Sequence, residues 1–244
     1  MSLFRLIARL DIKSPNLVKG VHLEGLRIIG DPHDYAVKYA NEGVDEILYM
    51  DIVASLYGRN QLTELLARTV DDIFVPVTVG GGVKSLADVR RLFNAGADKV
   101  AINTAVLHRP DLIREIADKY GSQAIVVSIE AKKTPTGWEA YTDNGREKTG
   151  KDAVAWANKA AELGAGEILL TSIDCEGTGK GMDLELGRAI TPNLDIPVTL
   201  CGGCGNATDV AKARQVADAV AVAGAFHYGK MKIADCRKFD ILQK

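Results

Sequence analysis

The stretch Asp45-Glu46-Ile47-Leu48-Tyr49-Met50 returns 121 residues later as Gly166-Glu167-Ile168-Leu169-Leu170-Thr171. At the same offset Val75-Pro76-Val77-Thr78 returns as Ile196-Pro197-Val198-Thr199, and Gly81-Gly82 as Gly202-Gly203. Asn103-Thr104 falls opposite Gly224-Ala225, each ending an apolar run. The chain is built twice from one half, so any ligand-binding loops come in two equivalent sets. If those loops hold phosphate, the ligand carries a phosphate at each end.

The repeated stretches read as strands: short, apolar and rich in β-branched residues. Strand-like segments are Arg5–Asp11, Glu46–Asp51, Val75–Val79, Lys99–Ile102, Ala124–Ile129, Glu167–Ile173, Ile196–Leu200 and Ala219–Ala223. Helical patterns lie between them, among them Asp34–Glu42, Gln61–Thr69, Leu86–Asn94, Pro110–Lys119, Asp152–Leu163 and Ala207–Arg214. Helices end in Gly43, Gly96 and Gly164, where glycine supplies the left-handed cap and the next strand follows at once. Eight such units in 244 residues match the size of a (β/α)8 TIM barrel. A doubly wound open sheet is the structural alternative, but it does not normally repeat at its midpoint. The expectation is an α/β TIM barrel of two half-barrels, a single domain over residues 1–244. One long insertion, Lys132–Lys148, follows the fifth strand and carries an Asn144-Gly145 turn, which predicts a hairpin on the catalytic face.

Composition removes several function classes. The chain is 47% hydrophobic and 25% charged with a formal net charge of −2, so it has no bulk basic surface for nucleic acid. No apolar run reaches the roughly 18 residues of a membrane span. Met1–Leu10 runs straight into a strand pattern with no cleavable leader, and the expected setting is cytoplasmic. Four cysteines are too few and scattered for a disulfide scaffold. Cys201 and Cys204 have CxxC spacing, but no second ligand pair accompanies them and they sit in a Gly-rich turn. His22, His33, His108 and His227 show no ligand spacing. No metal is expected.

In such a barrel, ligands meet the C-terminal strand ends. Those ends are Asp11, Asp51, Gly80-Gly81-Gly82, Asn103-Thr104, Glu130, Thr171 with Asp174, Gly202-Gly203 and Gly224-Ala225. Gly-rich turns expose backbone N–H groups to an anion. Gly81 and Gly82 with Asn103 and Thr104 form one expected phosphate cradle, and Gly202 and Gly203 with Gly224 and Ala225 the other. Asp11 and Glu130, 119 residues apart, take near-equivalent places across the barrel and suit general acid/base work. Lys19 lies in the loop Lys13–Gly30, a cationic segment able to close over a phosphorylated substrate. At the opposite end Arg5, Glu46, Lys99 and Glu167 open their strands with alternating sign, and spacing alone reads them as a structural salt-bridge ring.

Together these residues resemble the cyclase subunit of imidazole glycerol phosphate synthase. The resemblance covers nearly the whole chain, through Leu10–Lys13, Val18–Val21, Gly30–Pro32, Asp51–Ser55, Val79–Val83, Gly96–Asn103, Gly164–Asp174 and Ala225–His227. It implies ammonia from a separate glutaminase subunit. It also implies a ribulosyl aminoimidazole carboxamide ribonucleotide substrate with two phosphates, and no metal or organic cofactor. Asp11 matches the family's first catalytic aspartate and Lys19 its loop lysine. Asp51, Thr171, Asp174 and Glu176 are substrate-binding candidates. The resemblance turns the ring of Arg5, Glu46, Lys99 and Glu167 from a structural feature into an ammonia gate, and places Asp98 against the glutaminase.

The chain departs from the family at four positions. Glu130 and Glu176 stand where Asp is usual, Arg9 where Cys is, and Cys201 where Ser is. Three other functions share part of this pattern. One is a paralogue that uses glutaminase-derived ammonia to amidate a nucleotide-linked sugar for surface glycans. Another is the isomerase of the preceding histidine step, which needs no ammonia gate. The last is a non-catalytic bisphosphate-binding activator of a glutaminase.

Overall fold

The computed structural model describes residues 4–53 and 62–238. Ala54 and Ser55 of the resemblance, and Gln61 of one helical pattern, lie outside the described residues. Within them twelve strands run in chain order: β1 (Arg5–Lys13), β2 (Asn16–Val21), β3 (Glu24–Gly30), β4 (Glu46–Asp51), β5 (Val77–Gly80), β6 (Lys99–Ile102), β7 (Ile125–Thr134), β8 (Gly137–Thr142), β9 (Glu147–Asp152), β10 (Glu167–Ser172), β11 (Val198–Cys201) and β12 (Ala219–Val222). The order β10-β11-β12-β1-β4-β5-β6-β7, closed by β7 against β10, is a parallel eight-stranded barrel with helices between strands. This is the (β/α)8 TIM barrel expected from the repeat.

Strand alternation produces two apolar layers. Along β1, Leu6, Ala8 and Leu10 pack outward with Ile47, Tyr49, Val77 and Val79 under the helices. Ile7 points into the lumen with Leu48, Met50, Ala101, Val126, Leu169 and Ala221. All six residues of β4 and of β10 are buried, as strands covered on both faces must be. The helix Pro32–Glu42 starts on Asp31, whose carboxylate accepts from the N–H groups of His33 and Asp34, and stops at Gly43 with φ +96°.

The third and seventh barrel strands begin two residues later than the sequence pattern predicts. Pro76 and Pro197 explain this, because proline has no N–H to give the ladder. Each contributes only its carbonyl, which accepts from Ile47 and Ile168 respectively. The ladder opens at Val77 and Val198, whose N–H groups are taken by Asp98 and Asp218. The helical segment expected after the sixth barrel strand is the short helix Leu184–Ile190, capped by Asp183. The predicted hairpin is present as β8 and β9, and its turn places Asp143, Asn144 and Gly145 at positive φ. The loop after the first strand is more ordered than expected. Its residues form a second hairpin, β2 with β3, which pairs onto the end of β1.

Candidate active site

Asp11 closes β1 at the C-terminal mouth and is 2% exposed. Its Oδ1 accepts from Arg9 Nε at 2.8 Å and its Oδ2 from Lys19 Nζ at 2.9 Å. Lys19, on β2, is also buried and pairs with Glu176 from the loop after β10. It is therefore folded into the site instead of riding on an open loop. Burial alone would raise the Asp11 carboxyl, but the Arg9 guanidinium and the Lys19 ammonium override burial and hold it well below the usual carboxylate range. Burial would lower Lys19, and Asp11 and Glu176 reverse that, so its ammonium stays charged.

Glu130, across the barrel on β7, has a different environment. Its Oε2 accepts from Asn103 Nδ2 at 3.0 Å and from the Gly145 N–H at 2.7 Å. Both donors are neutral. Burial dominates and pushes the carboxyl up to about 7. Of the two acids, Glu130 is the one that exchanges protons near neutral pH.

The two expected cradles flank this pair. Gly81, Gly82, Asn103 and Thr104 line a cavity of about 380 Å3 with Asp51, Lys84, His108 and Glu130. Gly202, Gly203, Gly224 and Ala225 line a smaller one of about 50 Å3 with Lys19, Glu176, Gly177 and Lys230. An open cleft of about 680 Å3 adjoins it, sharing Lys19, Gly177 and Lys230. Glycine is required at these turns. A Cβ on Gly81, at φ +100°, would stand 2.2 Å from the Asp51 carbonyl oxygen, and one on Gly203, at φ +89°, 2.0 Å from that of Gly181. Each cradle also abuts the start of a short helix, Thr104–His108 or Gly224–His227, where the first N–H groups have no partner within the helix.

The remaining candidates fall in varied places. Asp51 lines the larger cavity, and its Oδ1 accepts from the Val53 N–H at 3.0 Å. Thr171 is fully buried below the mouth, and its hydroxyl accepts from Arg9 Nη1 at 3.1 Å. Asp174 accepts from the Lys133 N–H at 2.8 Å, at the base of the hairpin. Asn103 divides its roles: its amide holds Glu130 and the Tyr141 carbonyl, while its buried Oδ1 has no partner among the described residues. The sequence reading missed Gly145, Gly177 and Lys230 as site residues. The Gly177-Thr-Gly179 run after Glu176 was the available signal for the second cradle. No group of three or more His, Cys, Asp or Glu side chains suited to a metal occurs among the described residues.

At the other barrel end the four charged residues form a closed cycle. Arg5 bonds Glu46 at 3.0 Å and Glu167 at 2.8 Å, and Lys99 bonds the same two carboxylates at 2.8 and 3.0 Å. Thr78 and Thr199, one from each half, donate their hydroxyls to Glu46 and Glu167. Burial would raise Glu167, but Arg5 and Lys99 lower it below its ordinary value. Asp98 stands exposed on this face.

A TIM barrel with paired glycine cradles around two buried carboxylates at one mouth, and a charged ring at the other, is an enzyme-type barrel for a small anionic molecule. A family model described as histidine biosynthesis protein matches residues 5–232. An imidazole glycerol phosphate synthase subunit HisF of Legionella pneumophila is 59% identical over 206 residues, 84% of this chain and 97% of that protein. HisF subunits of Nocardioides and Streptomyces griseus are 46% and 47% identical, each over 96% of this chain and 94% of the relative. The chain belongs to the histidine biosynthesis protein family, among the HisF subunits of imidazole glycerol phosphate synthase.

Proposed function

We propose that this chain, acting as one barrel unit, is the ammonia-dependent cyclase of histidine biosynthesis. It joins ammonia to the bisphosphorylated ribulosyl aminoimidazole carboxamide ribonucleotide and splits the adduct. The products are imidazole glycerol phosphate and aminoimidazole carboxamide ribotide. The carrying observation is the doubled cradle with an acid pair between its halves. A substrate with a phosphate at each end spans both cradles and lays its reacting centre over Asp11 and Glu130.

The two acids divide the work. Ammonia adds to the ketose carbonyl, and water leaves after protons have moved from nitrogen to oxygen. Glu130, near 7, is suited to take and return those protons. Asp11 stays ionised between Arg9 and Lys19, and its negative charge favours the cationic carbon–nitrogen intermediate. Lys19 links Asp11 to Glu176 beside the second cradle, so phosphate arrival there is felt at the acid.

Ammonia comes from a glutaminase subunit seated on the ring face, and the complex works in the cytoplasm. No helix among the described residues is long and apolar enough to cross a membrane. Phe74 supports the docking face: it is 97% exposed, beside Asp98 and Gly96, on the loop leading into β5. A large apolar side chain left in water next to the ring suits a covered surface.

The test is turnover of the ribulosyl bisphosphate substrate with excess ammonium salt and no partner. Consumption of substrate is the expected result. Tight binding without turnover would point instead to sugar amidation or to a non-catalytic activator.

A further inference from the structure

Arg9 is, among the described residues, the most deeply buried cation that the proposed chemistry leaves without a task of its own. It is 2% exposed and sits on β1 between Arg5 and Asp11, with Ile7, Arg9 and Asp11 all facing the lumen. Its side chain crosses that lumen. Nη1 reaches Thr171 on β10 at 3.1 Å and Cys201 on β11 at 3.3 Å, while Nε holds Asp11. Going round the wall from β1, β10 is reached only after β12 and β11, so the guanidinium spans a chord of the barrel and does not lie along its wall.

The tilt of the strands advances the register by about one residue per strand, as in (β/α)8 barrels of shear ~8. Arg9 therefore shares a level with Gly80, Ser128 and Cys201. Those three are small, Arg9 leans toward Cys201, and the Met50 sulfur lies against Gly80. Below this level the lumen is lined by the apolar Leu48, Ala101, Leu169 and Ala221, and then by Ile7 and Val126 with Thr78 and Thr199, whose hydroxyls donate to the ring. Below that lies the charged ring, with Arg5 about 13 Å from Arg9 along the strand. A solute rising from the ring crosses an apolar stretch and meets the Arg9 guanidinium before either acid of the mouth.

We propose that Arg9 is a specificity-determining residue: fixed across the lumen beneath the acid pair, it lets uncharged ammonia pass and turns back ammonium. This rests on the ammonia-dependent reading above and adds to the ring a second, inner level of selection. The physics is that of any fixed cation in a narrow apolar passage, where repulsion of a like charge is little screened. Asp11, which holds the guanidinium, and Glu176, which acts on it from farther away, both stand at the mouth, above the apolar stretch. The charged and titratable groups around it are Asp11 on β1, Lys19 on β2, Glu130 on β7, Glu176 after β10, Cys201 on β11 and His227 after β12. Of these Glu130 is pushed up to about 7, and it acts on the chemical step above the barrier.

The experiment follows the apparent KM for total ammonium between pH 7 and 8, at saturating ribulosyl bisphosphate so that the open mouth is occupied. In the native protein that KM falls about tenfold over the unit, because only the uncharged form enters. Arg9→Gln keeps a donor for Asp11 but removes the charge, and its KM falls less than about threefold as ammonium is admitted and gives its proton to Glu130. Arg9→Lys restores the native slope. Arg9→Met supplies the neutral side chain if Arg9→Gln does not fold. A purely structural role would lower kcat or stability and leave the KM slope alone, and the influence of Arg9 on the Glu130 titration is read separately in the pH dependence of kcat. Neutral variants that keep the tenfold slope overturn the proposal and assign the selection to the apolar stretch. A native protein that turns over no substrate with ammonium overturns the ammonia reading, and the barrier with it.

Discussion

Glu130→Gln should make the protein more stable at pH 8 while removing its activity. Glu130 is buried with only neutral donors on its carboxylate, and its carboxyl is pushed from 4.5 to about 7. An acid that holds its proton more tightly when folded is unfavourable to folding once it must ionise. The penalty is absent below about pH 4.5, grows through the interval and is complete above pH 7, where it amounts to about 3 kcal/mol at 1.36 kcal/mol per pKa unit. Glutamine keeps an oxygen for Asn103 and Gly145 and has no charge to bury. The variant should gain about 2–3 kcal/mol more over the native protein at pH 8 than at pH 5. Urea unfolding at both pH values reads this as a shift of midpoint with unchanged m. Turnover should fall by about 10²–10⁴, the usual worth of a positioned proton carrier. A gain of equal size at both pH values, or a loss at pH 8, would refute a Glu130 carboxyl raised by its burial. Turnover within a few-fold of native would take proton transfer away from it.

The other predictions address the remaining parts of the site. Asp11→Asn takes from Arg9 and Lys19 the carboxylate they share, Lys19 keeping Glu176. It should abolish turnover and cost about 3–5 kcal/mol in denaturant, while product binding measured by calorimetry persists. Gly203→Ala forces a Cβ to 2.0 Å from the Gly181 carbonyl at φ +89°. Imidazole glycerol phosphate should then bind at least about tenfold more weakly, since the turn backbone must move, and unaltered affinity would remove this turn from the cradle. Phe74→Asp should weaken glutaminase binding by about 2 kcal/mol or more and leave ammonium-driven turnover intact. A change in both would place Phe74 in the barrel's own stability.

Much of this was legible in the sequence because it rests on local and repeating signals. The offset between Glu46 and Glu167 implied two half-barrels, and the ring those residues share with Arg5 and Lys99 closes as the alternating charges suggested. Gly81 and Gly203 marked turns that accept no side chain. The missing parts depend on groups brought together from distant segments. Nothing local says that Arg9 reaches Thr171 and Cys201, 162 and 192 residues away. Nothing local says that Lys19 is drawn inward by Glu176, or that Gly145 donates to Glu130. Strand starts at Val77 and Val198 were misjudged because Pro76 and Pro197 satisfy the apolar pattern while lacking the N–H a ladder needs.

The unequal chemistry of the acids follows from how the two halves diverge. Asp11 and Glu130 lie 119 residues apart, and so do Arg9 and Ser128, each two residues before its acid and on the same level of the lumen. Each acid-bearing strand is also followed by a hairpin, β2 with β3 in the first half and β8 with β9 in the second. The first half supplies cations from both places, Arg9 from the strand and Lys19 from the hairpin. The second supplies a hydroxyl-bearing residue and a backbone N–H, Ser128 and Gly145. One backbone plan thus holds one carboxylate permanently ionised and leaves the other to titrate near neutrality. Exchanging those partners should exchange the roles. Ser128→Arg, with a cation placed level with Arg9 below Glu130, should drive the Glu130 carboxyl down toward its ordinary range. The pH at which kcat is half-maximal should follow it downward, and an unmoved pH profile would show that Glu130 does not set the rate.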